Sequence, residues 1–149
     1  MDVILIAAVT ANGMIARHRH EVVDWSLDLT LFKKQTMGFP VIIGSNTFDT
    51  LAVDLEGREI IVVHRNDDPV RVINRLKAER CFIIGGSRTY GRFAPFLTQI
   101  YLTFHPLVFA DGIPLFTGLK NELNLQFIAK IPVLESAGIY QFQFKIIKP

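Results

Sequence analysis

Four short, nearly unbroken apolar runs recur along this chain, at Val3 to Val9, Pro40 to Ile43, Ile60 to Val63 and Cys81 to Ile84. None has helical spacing, so each reads as a strand buried on both faces, the pattern of a parallel sheet. Between them lie segments of helical character: Ser26 to Met37, Asn46 to Leu51, and Val70 to Ala78, the last opening on Asp68-Pro69 as N-cap and first-turn proline. A fourth helix is expected from just after Gly85-Gly86 to about Phe93, before Ile100 to Phe104 resumes strand character. Alternating strand and helix place the chain in the α/β class. The ending breaks the alternation: Leu125 to Ile131 and Ile139 to Ile147 read as two strands joined by a turn at Ser136-Ala137-Gly138. The expected architecture is therefore a mostly parallel central sheet flanked by helices, with an antiparallel C-terminal hairpin. In such sheets ligands bind beyond the carboxyl ends of the strands.

At 149 residues, half of them hydrophobic, the chain has the size of one ordinary domain, expected to span residues 1–149. No apolar run approaches the roughly 20 residues that cross a bilayer. The start, Met1-Asp2 followed by Val3-Ile4-Leu5-Ile6, lacks a basic leader and a small-residue cleavage site, so a cytoplasmic location is expected, with no membrane partner. Cys81 is the only cysteine and lies in an apolar run, which excludes a disulfide within the chain. A formal charge of +2 with acids and bases scattered leaves no footprint for nucleic acid. A small-molecule partner and a monomeric state are expected. The sequence contains no G-x-x-x-x-G-K-[ST], C-x-x-C, H-E-x-x-H or G-x-S-x-G, so kinase, zinc and serine-hydrolase chemistry lack their parts. His18 and His20 have no carboxylate or cysteine at matching spacing; they read as a polar loop, and no metal site is expected.

Three places carry candidate chemistry. If Ser26 caps the first helix, positions 28, 31, 32 and 35 share one face, and Asp28 projects beside Leu31 and Phe32. Asp28 then either serves the first turn of its own helix, or grips a flat cationic or amidine-like ring edge while Phe32 packs on the ring face. Ile43-Gly44-Ser45-Asn46-Thr47-Phe48 and Ile84-Gly85-Gly86-Ser87-Arg88 both run from strand through glycine into a helix start, where backbone N–H groups are free to hold an anion. Two such turns on one sheet suit a dinucleotide. Val62-Val63-His64-Arg65-Asn66 ends a strand with a guanidinium, which either forks a phosphate monoester or stands solvated in a loop.

These residues resemble the dihydrofolate reductase family, from Val3 to about Thr103. Asp28-Leu29-Thr30-Leu31-Phe32-Lys33-Lys34-Gln35-Thr36 and Pro40 to Phe48 look like the family's acid-bearing helix, following strand and cofactor turn. The spacing runs without a gap to Gly57-Arg58 and His64-Arg65, and Ile84-Gly85-Gly86 with Tyr90 and then Tyr101-Leu102-Thr103 complete it. The resemblance implies an NADPH-dependent enzyme that transfers a hydride to C6 of 7,8-dihydrofolate, with the N5 proton coming from water. It implies Asp28 as the one catalytic residue, supported by Thr103. Ile6, Ala7, Leu29, Phe32, Leu51 and Leu55 would line the pteridine pocket, and Arg58 would receive the glutamate α-carboxylate of folate. Ala8, Ile15, Gly44, Ser45, Asn46 and Thr47 would hold the cofactor with Val63, His64 and Arg65, the last on the 2′-phosphate. Ile84, Gly85, Gly86, Ser87, Arg88 and Thr89 belong to the same site, with Tyr90 near the nicotinamide.

The match has departures. The loop Asn12 to Asp24 and the segment Pro106 to Phe116 look closer to the related riboflavin-pathway reductases, Trp25 stands two residues nearer the acid than the family's loop tryptophan, and Ser87 replaces a common third glycine. The alternatives left open are reduction of a ribosylaminopyrimidine phosphate in riboflavin synthesis and a non-catalytic ligand-binding domain.

Overall fold

A computed structural model describes residues 1–51 and 54–148. The first apolar run forms β1 (Asp2–Thr10), and the chain continues through β2 (Met14–Ala16), α1 (Leu29–Thr36), β3 (Val41–Gly44), α2 (Ser45–Asp49), β4 (Ile60–Val63), α3 (Pro69–Asn74), β5 (Arg80–Gly85) and α4 (Ser87–Phe93). After β6 (Gln99–His105) and β7 (Ile113–Pro114), the chain ends in β8 (Asn124–Leu134) and β9 (Ile139–Ile147). Seven strands form one sheet in the order β4-β3-β5-β1-β6-β9-β8. The pairs among β4, β3, β5, β1 and β6 are parallel, and β9 joins antiparallel to both β6 and β8. This is the mostly parallel sheet with an antiparallel C-terminal hairpin that the apolar pattern implies.

Side chains of β1 alternate between the two faces, as the twofold period of a strand requires. Val3, Leu5, Ala7 and Val9 pack on one side with Phe93, Ala94 and Leu97 from the α4 region. Ile4 and Ile6 pack on the other with Phe82, Tyr101 and Leu55. The continuous apolar run is therefore two half-cores read in alternation. Cys81 is buried in the first of them, and burial pushes its thiol up to about 11. Among the described residues no helix is long and apolar enough to cross a membrane.

Helix boundaries differ from the sequence reading. The first helix starts at Leu29, not after Ser26, because Trp25 and Leu27 are drawn onto the end of β6: the Leu27 N–H donates to His105 Nε2 at 3.0 Å and the Trp25 ring meets His105 edge-on at 5.3 Å. Asp28 becomes the N-cap position without a side-chain cap hydrogen bond. The helix expected at Asn46 to Leu51 is a single turn ended by Thr50, whose N–H and hydroxyl both donate to the Thr47 carbonyl. The helix expected to reach Ala78 stops at Asn74, where the Leu76 N–H bonds to the Ile73 carbonyl and tightens the last turn before β5. Asp68 caps it as expected, accepting from the Val70 N–H at 3.0 Å. Gly138, at φ 70, closes the β8–β9 turn in the left-handed region that favours glycine.

The short antiparallel pair β2–β7 lies outside the sequence reading. Gly112 enables it, since a Cβ there would stand 2.7 Å from the Ala16 carbonyl oxygen. The two segments that depart from the family pattern, Asn12 to Asp24 and Pro106 to Phe116, are thus joined in space as one element.

Candidate functional site

A cleft of about 690 Å³ opens where the carboxyl ends of β3, β4 and β5 emerge, and runs along β1 to α1. Its floor is Ile6, Ala7 and Ala8 of β1; Asp28, Leu29, Phe32 and Leu51 line one end, and Ile15 of β2 faces them. Gly44 to Thr47, Val63 to Arg65 and Ile84 to Tyr90 line the rest. One cavity thus gathers residues from stretches as far apart as Ile6 and Thr117.

Asp28 is only 5% exposed, yet its carboxylate neither caps its helix nor enters an ion pair among the described residues. Asp28 stands at the N-terminus of its helix, but no side-chain cap bond ties it there. Burial raises its pKa above the ordinary value, because desolvation penalises the charged form. The Thr103 hydroxyl opposes that shift, although the two do not meet in ordinary hydrogen-bond geometry and Thr103 Oγ1 has no partner among the described residues. Two buried polar groups stand side by side with bonding capacity unspent, at the apolar end of the cleft. A ligand edge carrying adjacent N–H donors satisfies such a carboxylate.

The two glycine turns face each other across the other end. A Cβ on Gly44 would fall 2.6 Å from Thr89 Oγ1, and one on Gly86 would fall 2.5 Å from Thr47 Oγ1. Each turn needs a glycine opposite the other's threonine, so the backbones of α2 and α4 approach each other without side chains between them. Gly44 and Gly86 are also the N-cap residues of those helices, and neither helix has a side-chain cap. Ser87, where the family pattern carries a glycine, donates to the Pro114 carbonyl at 2.6 Å. Its proton being committed there, the hydroxyl accepts from Thr117 Oγ1 at 2.6 Å. Ser87 therefore ties the glycine turn to the segment around β7.

Arg65 is exposed, lines the cleft, and makes no ion pair among the described residues. Its turn is built rigidly: the His64 N–H donates to Asp67 Oδ2 at 2.7 Å, and Arg92 from α4 donates to the carbonyls of His64 and Asp67. Sequence reading missed Arg92, and no local signal marks it, since its partners lie 25 or more residues away. His18, read as part of a polar loop, also lines the cleft, together with Arg19. Tyr90 is fully engaged at the centre, its hydroxyl donating to the Ile6 carbonyl at 2.8 Å.

Three nominated residues do not line this cleft. Leu55 is core, packed with Ile4 and Ile6, and Thr103 lies buried by Asp28. Arg58 is 8% exposed and borders a separate, smaller depression with Lys33 and Asp54. Its guanidinium donates to Thr36 Oγ1 at 3.2 Å and to the carbonyls of Asp54 and Glu56 at 2.8 and 3.1 Å. Trp25 does not line the cleft either; its ring meets His105 and Phe109 edge-on. Among the described residues no group of His, Cys, Asp and Glu is arranged to hold a metal ion.

A family model described as dihydrofolate reductase matches residues 2–105. The type 3 dihydrofolate reductase of Salmonella typhimurium is 35% identical over 118 residues, covering 70% of this chain and 72% of that protein. Among solved structures, a dihydrofolate reductase from Enterococcus faecalis complexed with NADP(H) and RAB-propyl superposes with a TM-score of 0.74 at 20% identity, over 99% of this chain and 97% of that one. A putative riboflavin biosynthesis protein from Shewanella sp. PV-4 superposes with a TM-score of 0.69 at 16% identity, over 99% of this chain and 100% of that one. At those identities the two structures speak for the fold alone.

Proposed function

Because the chain belongs to the dihydrofolate reductase family, we propose that it reduces 7,8-dihydrofolate to tetrahydrofolate with NADPH, a hydride passing to pteridine C6. The observation that carries this reading is Asp28, a buried carboxylate in the cleft with no side-chain cap bond and, among the described residues, no ion pair. Burial makes ionising Asp28 costly, and a pteridine edge with its ring nitrogen and 2-amino group offsets that cost through paired charge-assisted hydrogen bonds. Phe32, Leu29, Leu51, Ile6 and Ala7 hold the ring flat, and Thr103 supports the acid from below.

The opposed glycine turns fit a dinucleotide: they bring two backbone segments close with no Cβ between them, and Arg65 stands ready for a 2′-phosphate. NADPH supplies the hydride from its nicotinamide. The chain's part is to align both ligands, exclude bulk water around Tyr90 and Ile6, and hold the pteridine while water delivers the N5 proton. Asp28 is the catalytic residue of this reading, acting by grip and charge.

A second reading, reduction of a ribosylaminopyrimidine phosphate, is favoured by one feature: both segments that look like riboflavin-pathway reductases meet in the β2–β7 pair. The remaining parts of the proposal are a single domain over residues 1–149, a monomer, small molecules as the only partners, and a cytoplasmic location. Mixing purified protein and NADPH with either substrate, and following the nicotinamide absorbance, tests the enzymatic claim. Turnover with dihydrofolate is expected. Turnover with the ribosylaminopyrimidine alone transfers the assignment to the second reading, and none with either favours a non-catalytic binding domain.

A further inference from the structure

The carboxyl end of β6 carries a buried imidazole that touches neither cleft nor solvent. His105 is 2% exposed, with Nδ1 3.0 Å from the Thr103 carbonyl and Nε2 3.0 Å from the Leu27 backbone N. A carbonyl only accepts and an amide N–H only donates, so Nδ1 carries the proton and Nε2 presents its lone pair. Both ring nitrogens are thereby committed to backbone partners. The ring cannot swing either: Trp25 meets it edge-on at 5.3 Å and 86°, and Trp25 is itself braced at 5.4 Å against Phe109.

What this ring holds is the backbone directly before Asp28. Among the described residues, the Leu27 bond to His105 is the one hydrogen bond that ties the stretch from Val22 to Leu27 to the central sheet. On the other side of the acid, the Phe32 N–H bonds the Asp28 carbonyl at 2.9 Å as α1 begins. Asp28 is thus held from its C-terminal side by helix formation and from its N-terminal side by an imidazole. The same ring bonds the backbone of Thr103, whose buried hydroxyl neighbours the Asp28 carboxyl without meeting it in ordinary hydrogen-bond geometry.

We infer that His105 is the positioning residue of the site: by bonding Leu27 and Thr103 at once, it sets the depth at which Asp28 meets its ligand. This rests on the reading of Asp28 as the pteridine grip. It makes no contact with substrate or cofactor and is not itself a catalytic residue. Its removal frees the turn before the acid, so ring binding suffers while the cofactor end of the cleft keeps its shape.

The test uses the whole chain and two probes, 2,4-diaminopteridine and NADPH, with affinities measured by fluorescence for four variants. His105→Leu removes both bonds and keeps apolar volume; diaminopteridine affinity is expected to fall at least tenfold, with NADPH within twofold. His105→Gln restores an acceptor toward Leu27 and should recover most of the loss, whereas His105→Asn keeps only a donor toward Thr103 and should not. That pair decides the matter if the leucine variant does not fold. Equal losses for both probes, or equal behaviour of the glutamine and asparagine variants, overturn the inference. Asp28→Asn is the reference: if it leaves diaminopteridine affinity intact, the reading of the cleft fails. If it abolishes binding while His105→Leu does not, only the positioning role fails.

Discussion

Gly44 and Thr89 stand in contact across the two glycine turns, so close that a Cβ on Gly44 would lie 2.6 Å from the threonine hydroxyl. Thr89 is buried and cannot simply turn aside. Gly44→Ala must therefore push the turns apart, at a cost of about 1–3 kcal/mol for overpacking a tight contact. Cofactor affinity should drop at least tenfold, with diaminopteridine binding much less affected. Titrating both ligands against parent and variant checks this, and an alanine variant that binds NADPH as the parent does removes the close approach from the account.

Asp28→Asn should fold and lose roughly a hundredfold in kcat/KM, about 3 kcal/mol of transition-state stabilisation. Activity within threefold of the parent sinks the assignment of this residue.

The same substitution has a signature in stability. Burial raises the folded-state pKa of Asp28 above its ordinary 3.8, so the folded chain binds this proton more tightly than the unfolded chain. Between the ordinary and the raised value, rising pH removes stability. Asp28→Asn, which has no such proton to lose, should melt higher than the parent at neutral pH, and the gap should close as the pH falls through the raised value toward 3.8. Thermal melts of both proteins across that range read the sign directly; a gap that widens on acidification contradicts it.

Arg65→Ala should weaken NADPH by about 2 kcal/mol, roughly thirtyfold, through loss of a charge-assisted contact to the 2′-phosphate. NADH, which lacks that phosphate, should bind the two proteins alike. Equal losses with both cofactors mean that Arg65 acts on the turn held by Arg92 and Asp67 and not on the phosphate.

Arg58 separates a role seen in the structure from one implied by the family. Its bonds to Thr36, Asp54 and Glu56 make it a brace between α1 and the loop before β4, while the family resemblance makes it a clamp for the glutamate carboxylate. A clamp predicts that Arg58→Ala weakens dihydrofolate at least tenfold more than a pterin without the glutamate tail. A brace predicts equal losses for both, with a lower melting temperature. Binding of the two ligands to parent and variant, together with their melts, decides between them.

Much of this protein is legible in its sequence because the determinants are local. Val3 to Val9 and Cys81 to Ile84 announce buried parallel strands by lacking any polar alternation, and Asp68-Pro69 marks a helix start by its own backbone chemistry. Gly44, Gly85 and Gly86 mark turns where only glycine fits. What the tertiary structure decided involves partners far apart in sequence. Where the first helix begins, and so whether Asp28 stands before it or within its first turn, goes with the bond from Leu27 to His105, 78 residues away. The support of Arg65 by Arg92 and the union of two odd loops as β2–β7 depend equally on distant contacts. A sequence pattern records which surfaces a segment must bury and which turns it can make; it does not record which distant group will claim a given N–H, because that choice is made only when the sheet brings both to the same edge.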